Sequence, residues 1–592
     1  MLRFNFHIPE WEMEVFRQAF LIILTTRVLS FFIFKIHSGI IQYTSTHDAS
    51  RIFLILFGGS LIFTISNVFV IQLGFERHLI PYSIIILEFI NSLLFLVAYR
   101  VFVKIAYVEL SKPHRGLTHV MIFGAGEAGI ITKRAMESES RAKVKVVGFL
   151  DDNLKKVNKR IDGIPVFPSD NIKYILEEKQ IEQLILSVQN LSPQRKQELI
   201  DLCIEMDVEV LNVPPVQNWI NGELSLKQIK SVKIEDLLGR EVIKLSEEHV
   251  KNDVRSKVVL ISGAAGSIGS ELVRQVGKYK PKLLLLVDQA ESALFQLELN
   301  NSQRFKNTEV RYILADITNA FRMKAIFERF QPHYVFHAAA YKHVPMMEKN
   351  PMEAIRVNVF GTKNMADLAM AYHVHKFVMI STDKAVNPTN VMGASKRFAE
   401  IYVQSLSENS STQFITTRFG NVLGSNGSVI PLFEKQIARG GPVTVTHPDI
   451  TRYFMTIPEA CRLVLEAGSM GKGGEIFVFD MGKSVKIVDL AKKMIRLSGL
   501  QLGKDIQIQY SGLRPGEKLY EELLTAGENT KPTHHEKILI AKVQTYPKKD
   551  IEVVLKKLEG ALEQQDVLLL VRLLKEMIPE YKSENSEFGV LD

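Results

Sequence analysis

Cysteine is nearly absent: Cys203 and Cys461 are the two in 592 residues, far apart and outside any CxxC spacing. That excludes a disulfide scaffold and a cysteine-built zinc site, and it suits a cytosolic location for the bulk of the chain. No metal is expected. No arginine-rich tract with interleaved aromatics occurs either, so the net charge of +8 and the pI near 9.0 point to anionic lipid and phosphate, with no nucleic-acid partner. A short apolar core followed by a small-residue cleavage site, the mark of a cleaved signal peptide, is also missing.

What is present is uneven. The chain has room for about four domains, and its mean hydropathy of +0.06 hides a first hundred residues that are far greasier than the rest. Three apolar runs, Phe16 to Ile36, Ile52 to Leu73 and Ile80 to Val103, each approach the roughly 20 residues that cross a bilayer core. Arg27 interrupts the first run, which leaves it open to a re-entrant or interfacial placement. Arg100, Lys104, Lys112 and Arg115 follow the third, and the excess of basic residues there predicts that the remaining chain lies in the cytoplasm. The expectation is a multi-pass protein of the cytoplasmic (inner) membrane, in contact with lipid through these helices.

The rest alternates strand and helix patterns, so the fold class is α/β: N-terminal transmembrane helices followed by two Rossmann-like domains. The expected division is 1–113, 114–218, a connecting segment 219–256, 257–547, and a C-terminal helical tail 548–592 with no assigned site. In the first unit the strand THVMIF leads into GAGEAG, with Gly124, Gly126 and Gly129 ahead of a helix, and VKVVGFLDD ends in Asp151 and Asp152. A lone GxGxxG is a weak signal, and a structural or regulatory role is favoured over nucleotide binding there.

The second unit is more explicit. KVVLIS runs into Gly263, Gly266, Ser267, Ile268 and Gly269, and LLLLVD places Asp288 nineteen residues after Gly269. Glycines let the backbone approach a pyrophosphate at a helix N-terminus, and an acid at this distance accepts both ribose hydroxyls of NAD. Asp316 and Ile317 end the next strand, and Ala338 and Ala339 end the one after, small enough for a cofactor to lie over them. FVMISTDKAVNPTNVMGASK then delivers Ser381, Thr382, Asp383 and Lys384 to a strand's carboxyl end, where ligands sit in open parallel sheets, with Met392 and Lys396 on the helix beyond.

Together GAAGSIGSEL, AAAYKHVPMME, NVFGT, STDKAVNPTNVMGASK, TRFGNVLGS and LRPGEK resemble the extended short-chain dehydrogenase/reductases that modify nucleotide sugars. Within them the chain is similar to the membrane-anchored polysaccharide-biosynthesis group of UDP-N-acetylglucosamine 4,6-dehydratases. That group usually carries four membrane helices against three runs here, so one is expected to be missing at the start or the N-terminus to lie on the other side. The resemblance implies an extended short-chain dehydrogenase/reductase fold for the second domain. It also implies NAD, UDP-N-acetylglucosamine as substrate, a homo-oligomer, and a product for bacterial surface polysaccharide or glycoconjugate synthesis.

The superfamily's usual YxxxK tyrosine is replaced by Met392, ahead of Lys396, so the proton acceptor must be sought elsewhere. By family position Asp383 is the acid for the C6 hydroxyl and Lys384 the C5 base, the latter if burial or a neighbouring cation lowers its pKa. Thr382 would bond the C4 oxygen. Lys342, His343, Asn421, Arg452, Arg514 and Glu517 are the expected substrate residues, Arg514 for the diphosphate because a guanidinium fork matches phosphate oxygens. The rivals are a UDP-sugar 4-epimerase, which needs no acid and base at C5 and C6, and a catalytically silent membrane sensor or scaffold that binds NAD.

Overall fold

The computed structural model describes residues 10–34, 46–73, 78, 80–110, 117–138, 144–216, 219, 224–232, 247–302, 304–305, 308–524 and 530–592. Lys112, Arg115 and residues 220–223 and 233–246 of the connecting segment therefore lie outside the described residues.

Each apolar run forms a helix: α1 (Glu10–Ile33), α2 (Thr46–Gln72) and α3 (Tyr82–Leu110). Two stretches within them, Ser50–Gln72 and Tyr82–Val103, are long and apolar enough to cross a membrane. Only 6% of the second is buried inside the protein, and Leu94, Phe95 and Phe102 stand about 70% exposed. Apolar surface on this scale matches lipid and not water, and the protein is read as membrane-associated. Arg27, which interrupts the first run, is accounted for by its partners. Its guanidinium donates to Glu88 of α3 through Nε (2.9 Å) and Nη2, to the Leu56 carbonyl (2.8 Å) and to the Ser60 hydroxyl (2.7 Å) of α2. One cation thus ties three helices together, and an ionised side chain is tolerated among apolar helices when it is paired in this way.

A seven-stranded sheet follows. Its strands are β1 (Thr118–Phe123), β2 (Val144–Asp151), β3 (Arg160–Ile161), β4 (Ile164–Pro168), β5 (Gln183–Leu186), β6 (Glu209–Asn212) and β7 (Lys230–Ser231), in the order β3-β4-β2-β1-β5-β6-β7. Helix α4 (Glu127–Ser138) follows the GAGEAG loop.

The second sheet has nine strands. β8 (Val258–Ser262), β9 (Leu283–Asp288), β10 (Glu309–Leu314), β11 (Tyr334–His337), β12 (Lys376–Thr382) and β13 (Gln413–Phe419) run in the order β10-β9-β8-β11-β12-β13. Ile476–Phe479 continues the parallel set, and Ile538–Ala541 and Thr530–Pro532 close the edge antiparallel. Alternate residues of one strand enter opposite cores: Val258, Leu260, Phe377 and Met379 on one face, Val259, Ile261 and Val378 on the other. A strand covered on both faces is apolar throughout, which is why LLLLV and FVMI carry no alternation. The order reverses between β8 and β11, and a crevice opens at such a switch point beyond the strands' carboxyl ends.

A third cluster, with Leu423, Phe433, Val443, Ile450 and Ile487, forms a small lobe beside that crevice. The tail does more than trail behind. Its helices Lys548–Glu563 and Val567–Met577 put Ile551, Leu555, Leu570 and Leu574 into the main core. Past them, Gly516 N–H donates to the Glu584 carbonyl (2.7 Å) and the Ser586 hydroxyl to Glu348 (2.5 Å).

Candidate active site

The GAAGSIG loop is fixed by close backbone approach. A methyl on Gly263, whose φ is +66°, would lie 2.6 Å from the Ala339 nitrogen, and one on Gly269 would lie 1.9 Å from the Gly263 carbonyl oxygen. Only hydrogen fits either place. Asp288, at the end of β9, accepts from Ala265 N–H (2.9 Å) through Oδ2 and from Ala290 N–H (2.9 Å) through Oδ1. Gly263, Gly266, Asp288, Ala315, Ile317, Ala338 and Ala339 line a cavity of about 140 Å³. Asp316 turns away: it caps its own turn by accepting from Thr318 N–H (2.8 Å) and is not among the lining residues.

A larger cavity of about 770 Å³ shares Gly263, Gly266 and Ala338 with the first and continues over Ser267, Ile268, Gly269, Thr382, Lys384, Met392 and Lys396. Its far wall is Lys342, His343, Asn421, Arg452, Arg514 and Glu517. The structure therefore brings the expected cofactor, catalytic and substrate residues to one continuous groove, except Asp316 and Asp383, which do not line it.

β12 positions the chemistry. Its last residue, Thr382, caps the turn Asp383–Ala385 and donates its hydroxyl to Asp383 Oδ1 (2.9 Å). Lys384 Nζ donates to the same oxygen (3.0 Å), to Asn421 Oδ1 (3.0 Å) and to Glu521 Oε1 (3.2 Å). Asp383 is 1% exposed and stands just behind the wall that Thr382 and Lys384 form; its Oδ2 has no partner among the described residues. Burial raises the Asp383 carboxyl above its ordinary range and Glu521 adds to that, against the pull of Lys384.

A C5 base at Lys384 requires a lowered pKa, and the Lys384 pKa is instead raised. Burial works against its charge, but Asp383 and Glu521 outweigh it. All three ammonium protons have acceptors. Burial does depress Lys396, on the helix beyond, to about 8, with Glu400 opposing. Met392, 2% exposed, offers no titratable group on the same wall. His337, between Ser262 (2.8 Å) and Thr362 (2.9 Å), is pushed down to about 3, first by burial and then by Lys396.

On the substrate side, Lys342 donates to the Ser425 hydroxyl (3.3 Å), and burial lowers its pKa. His343 is lowered by burial, then by Lys342 and Arg514. Arg514 is half exposed and rests on Glu517 (3.3 Å). Arg452 is tied to the segment that follows, donating to the carbonyls of Thr451 (2.7 Å), Lys518 (2.8 Å) and Leu519 (3.3 Å). Glu521 is the cavity residue that the sequence reading missed. Its one signal is an acid shortly after LRPGEK, and the neighbouring Glu522 makes the pair look like a solvated face.

The sequence profile of the family described as polysaccharide biosynthesis protein matches residues 259–543, and that of a CoA-binding domain matches residues 68–214. Capsular polysaccharide biosynthesis protein CapD of Staphylococcus aureus is 46% identical over 452 residues, 76% of this chain and 75% of its own. A UDP-N-acetylglucosamine 4,6-dehydratase (inverting) of Campylobacter jejuni is 33% identical over 278 residues, 46% of this chain and 79% of its own. A UDP-glucose 4-epimerase of Rickettsia canadensis is 36% identical over 283 residues, 46% of this chain and 80% of its own.

Proposed function

This chain belongs to the polysaccharide biosynthesis protein family, within the extended short-chain dehydrogenase/reductases, and from that premise we propose that it is an NAD-dependent 4,6-dehydratase of UDP-N-acetylglucosamine. The product would be a UDP-2-acetamido-2,6-dideoxy-4-keto-hexose for a surface glycan, made on the cytoplasmic side of the membrane.

The residues fit the cofactor. Where Gly263 and Gly269 stand a side chain would collide with backbone, so the loop stays close and the helix that begins at Ser267 presents its N-terminus to a pyrophosphate. Asp288 has no lysine or arginine partner among the described residues, so its carboxylate is free to accept ribose hydroxyls beyond the two amides it already holds. When bound there, NAD supplies the hydride acceptor for C4 and the hydride donor for C6.

The observation that carries the reading is the buried Asp383, bonded to Thr382 and Lys384 at the end of β12 beside that groove. Thr382 can pass the C4 hydroxyl proton to Asp383, doing what a tyrosine does elsewhere in the superfamily and Met392 cannot. Asp383, its carboxyl pKa raised by burial, is then the acid that protonates the leaving C6 hydroxyl. A 4-epimerase has no use for a proton donor at C6. Lys342, His343, Asn421 and Arg514 are assigned to the UDP-sugar.

Incubation of the full chain with UDP-N-acetylglucosamine, followed by product NMR, tests this. The expected product is the 4-keto-6-deoxy sugar; a 4-epimer with C6 intact would give the epimerase reading the field, and no product at all would leave the silent scaffold.

A further inference from the structure

With Lys384 held charged, the C5 proton needs another acceptor, and of the cavity's carboxylates Glu521 is the one in contact with Lys384. Glu521 lines the cavity, and its side chain is 3% exposed. Oε1 lies 3.2 Å from Lys384 Nζ and 3.6 Å from Arg452 Nε. Oε2 is buried with no hydrogen-bond partner among the described residues. An unpaired acceptor oxygen in a buried carboxylate is costly unless something comes to use it. The opposing charges around it are Lys384 and Arg452, with Lys518 farther off and Asp383 across Lys384.

We propose that Glu521 receives the C5 proton, while Lys384 stays protonated beside it; the assignment rests on the dehydratase reading above. Once C4 is a ketone, the C5–H bond breaks as an O–H bond forms on Glu521. The electron pair left at C5 becomes the C5=C6 bond as the C6–O bond breaks, and the hydroxyl leaves as water with the proton of Asp383. On return of hydride to C6, Glu521 gives its proton back to C5. Asp383 ends as it began, ionised, because the proton it lost to the water is the one it took from the C4 hydroxyl. Lys384, a fixed positive charge, stabilises the negative charge that C5 deprotonation spreads towards the C4 oxygen. Burial alone would favour the neutral acid, but Lys384 and Arg452 keep Glu521 ionised and ready to accept.

The test is exchange at C5 of the isolated 4-keto product in deuterated water, catalysed by the full chain with its cofactor, a reaction that needs no hydride step. Glu521→Gln should slow exchange by about 10²–10⁴-fold, and Glu521→Asp should recover part of it. Exchange by E521Q close to the wild-type rate overturns the assignment. A second reading needs no variant. A carboxylate base gives wild-type exchange that has levelled off by about pH 7, whereas exchange still climbing towards about pH 10 marks a lysine base and also overturns it. If the wild type makes no 4-keto sugar, the dehydratase reading itself falls; if it does and E521Q exchanges normally, only Glu521 is wrong.

Discussion

Two units of this chain carry the same opening: a strand, a GxGxxG-type loop, a helix, and an acid at the end of the next strand. In both, that acid accepts the N–H of an alanine between the first two glycines: Asp151 from Ala125 (2.8 Å) and Asp288 from Ala265 (2.9 Å). Each also accepts the amide two residues on, Asp151 from Asn153 (2.8 Å) and Asp288 from Ala290 (2.9 Å); the surroundings then differ. Asp151 also takes Lys156 Nζ at 2.9 Å, whereas no described lysine or arginine reaches Asp288. Helix α4 starts with Glu127, a negative charge where a phosphate would sit, while Ser267–Val276 has no acid in its first turn. The atoms nearest a methyl on Gly124 are side-chain atoms of Val188 and Ser187; at Gly263 they are the backbone of Ala338 and Ala339. The same motif therefore specifies a turn in both units, while the side chains and strand ends around that turn differ.

The contrast can be broken in several places. The largest effect is expected at Asp383→Asn, which should lower 4-keto sugar formation by about 10²–10⁴-fold with NAD still bound. Asp151→Asn, in the first unit, should leave turnover unchanged, and an equal loss would dissolve the distinction. Next come Gly269→Ala and Gly129→Ala, which place a methyl 1.9 and 2.0 Å from a carbonyl oxygen. Each should cost about 1–3 kcal/mol in thermal unfolding, but only Gly269→Ala should release NAD on a binding titration. Asp288→Ala should weaken NAD by about 1–3 kcal/mol, the range for a lost charged hydrogen bond, and Asp151→Ala should not weaken it.

The smallest effect sharpens the comparison through pH. The buried imidazole of His337 has no titratable counterpart in the first unit, where Leu186 holds the matching place in the strand register. Its folded pKa of about 3 lies below the unfolded value near 6.5. Between these values the unfolded chain binds a proton that the fold refuses, so this contribution to stability is present above about pH 6.5 and is lost as pH falls below it. Melting temperature should therefore fall less steeply from about pH 6.5 to 5 in His337→Gln than in the wild type; matching slopes would remove His337 from the account.

Much of this was legible in the residues. The apolar strands of the second sheet, the glycine loop, Asp288 and the Thr382–Asp383–Lys384 strand end follow from local pattern, because a doubly covered strand and a tight loop each leave a local mark. What escaped depends on segments far apart in the chain. Glu521 reaches Lys384 across 137 positions and joins the adjacent Asp383 in raising its pKa; Asp383 is visible beside Lys384 in the sequence, but Glu521 is not. Arg27 looked like an interruption because Glu88 lies one helix beyond the next. The tail's amphipathic pattern predicted helices but not that they complete the main core, or that Glu584 would hold Gly516 in the LRPGE turn.

One measurement bears most directly on the claim that only the second unit is a dinucleotide site: the number of NAD molecules bound per full-length chain at saturation. One per chain, abolished by Gly269→Ala and retained by Gly129→Ala, is the predicted result. Two per chain, or one that Gly129→Ala abolishes, would contradict it.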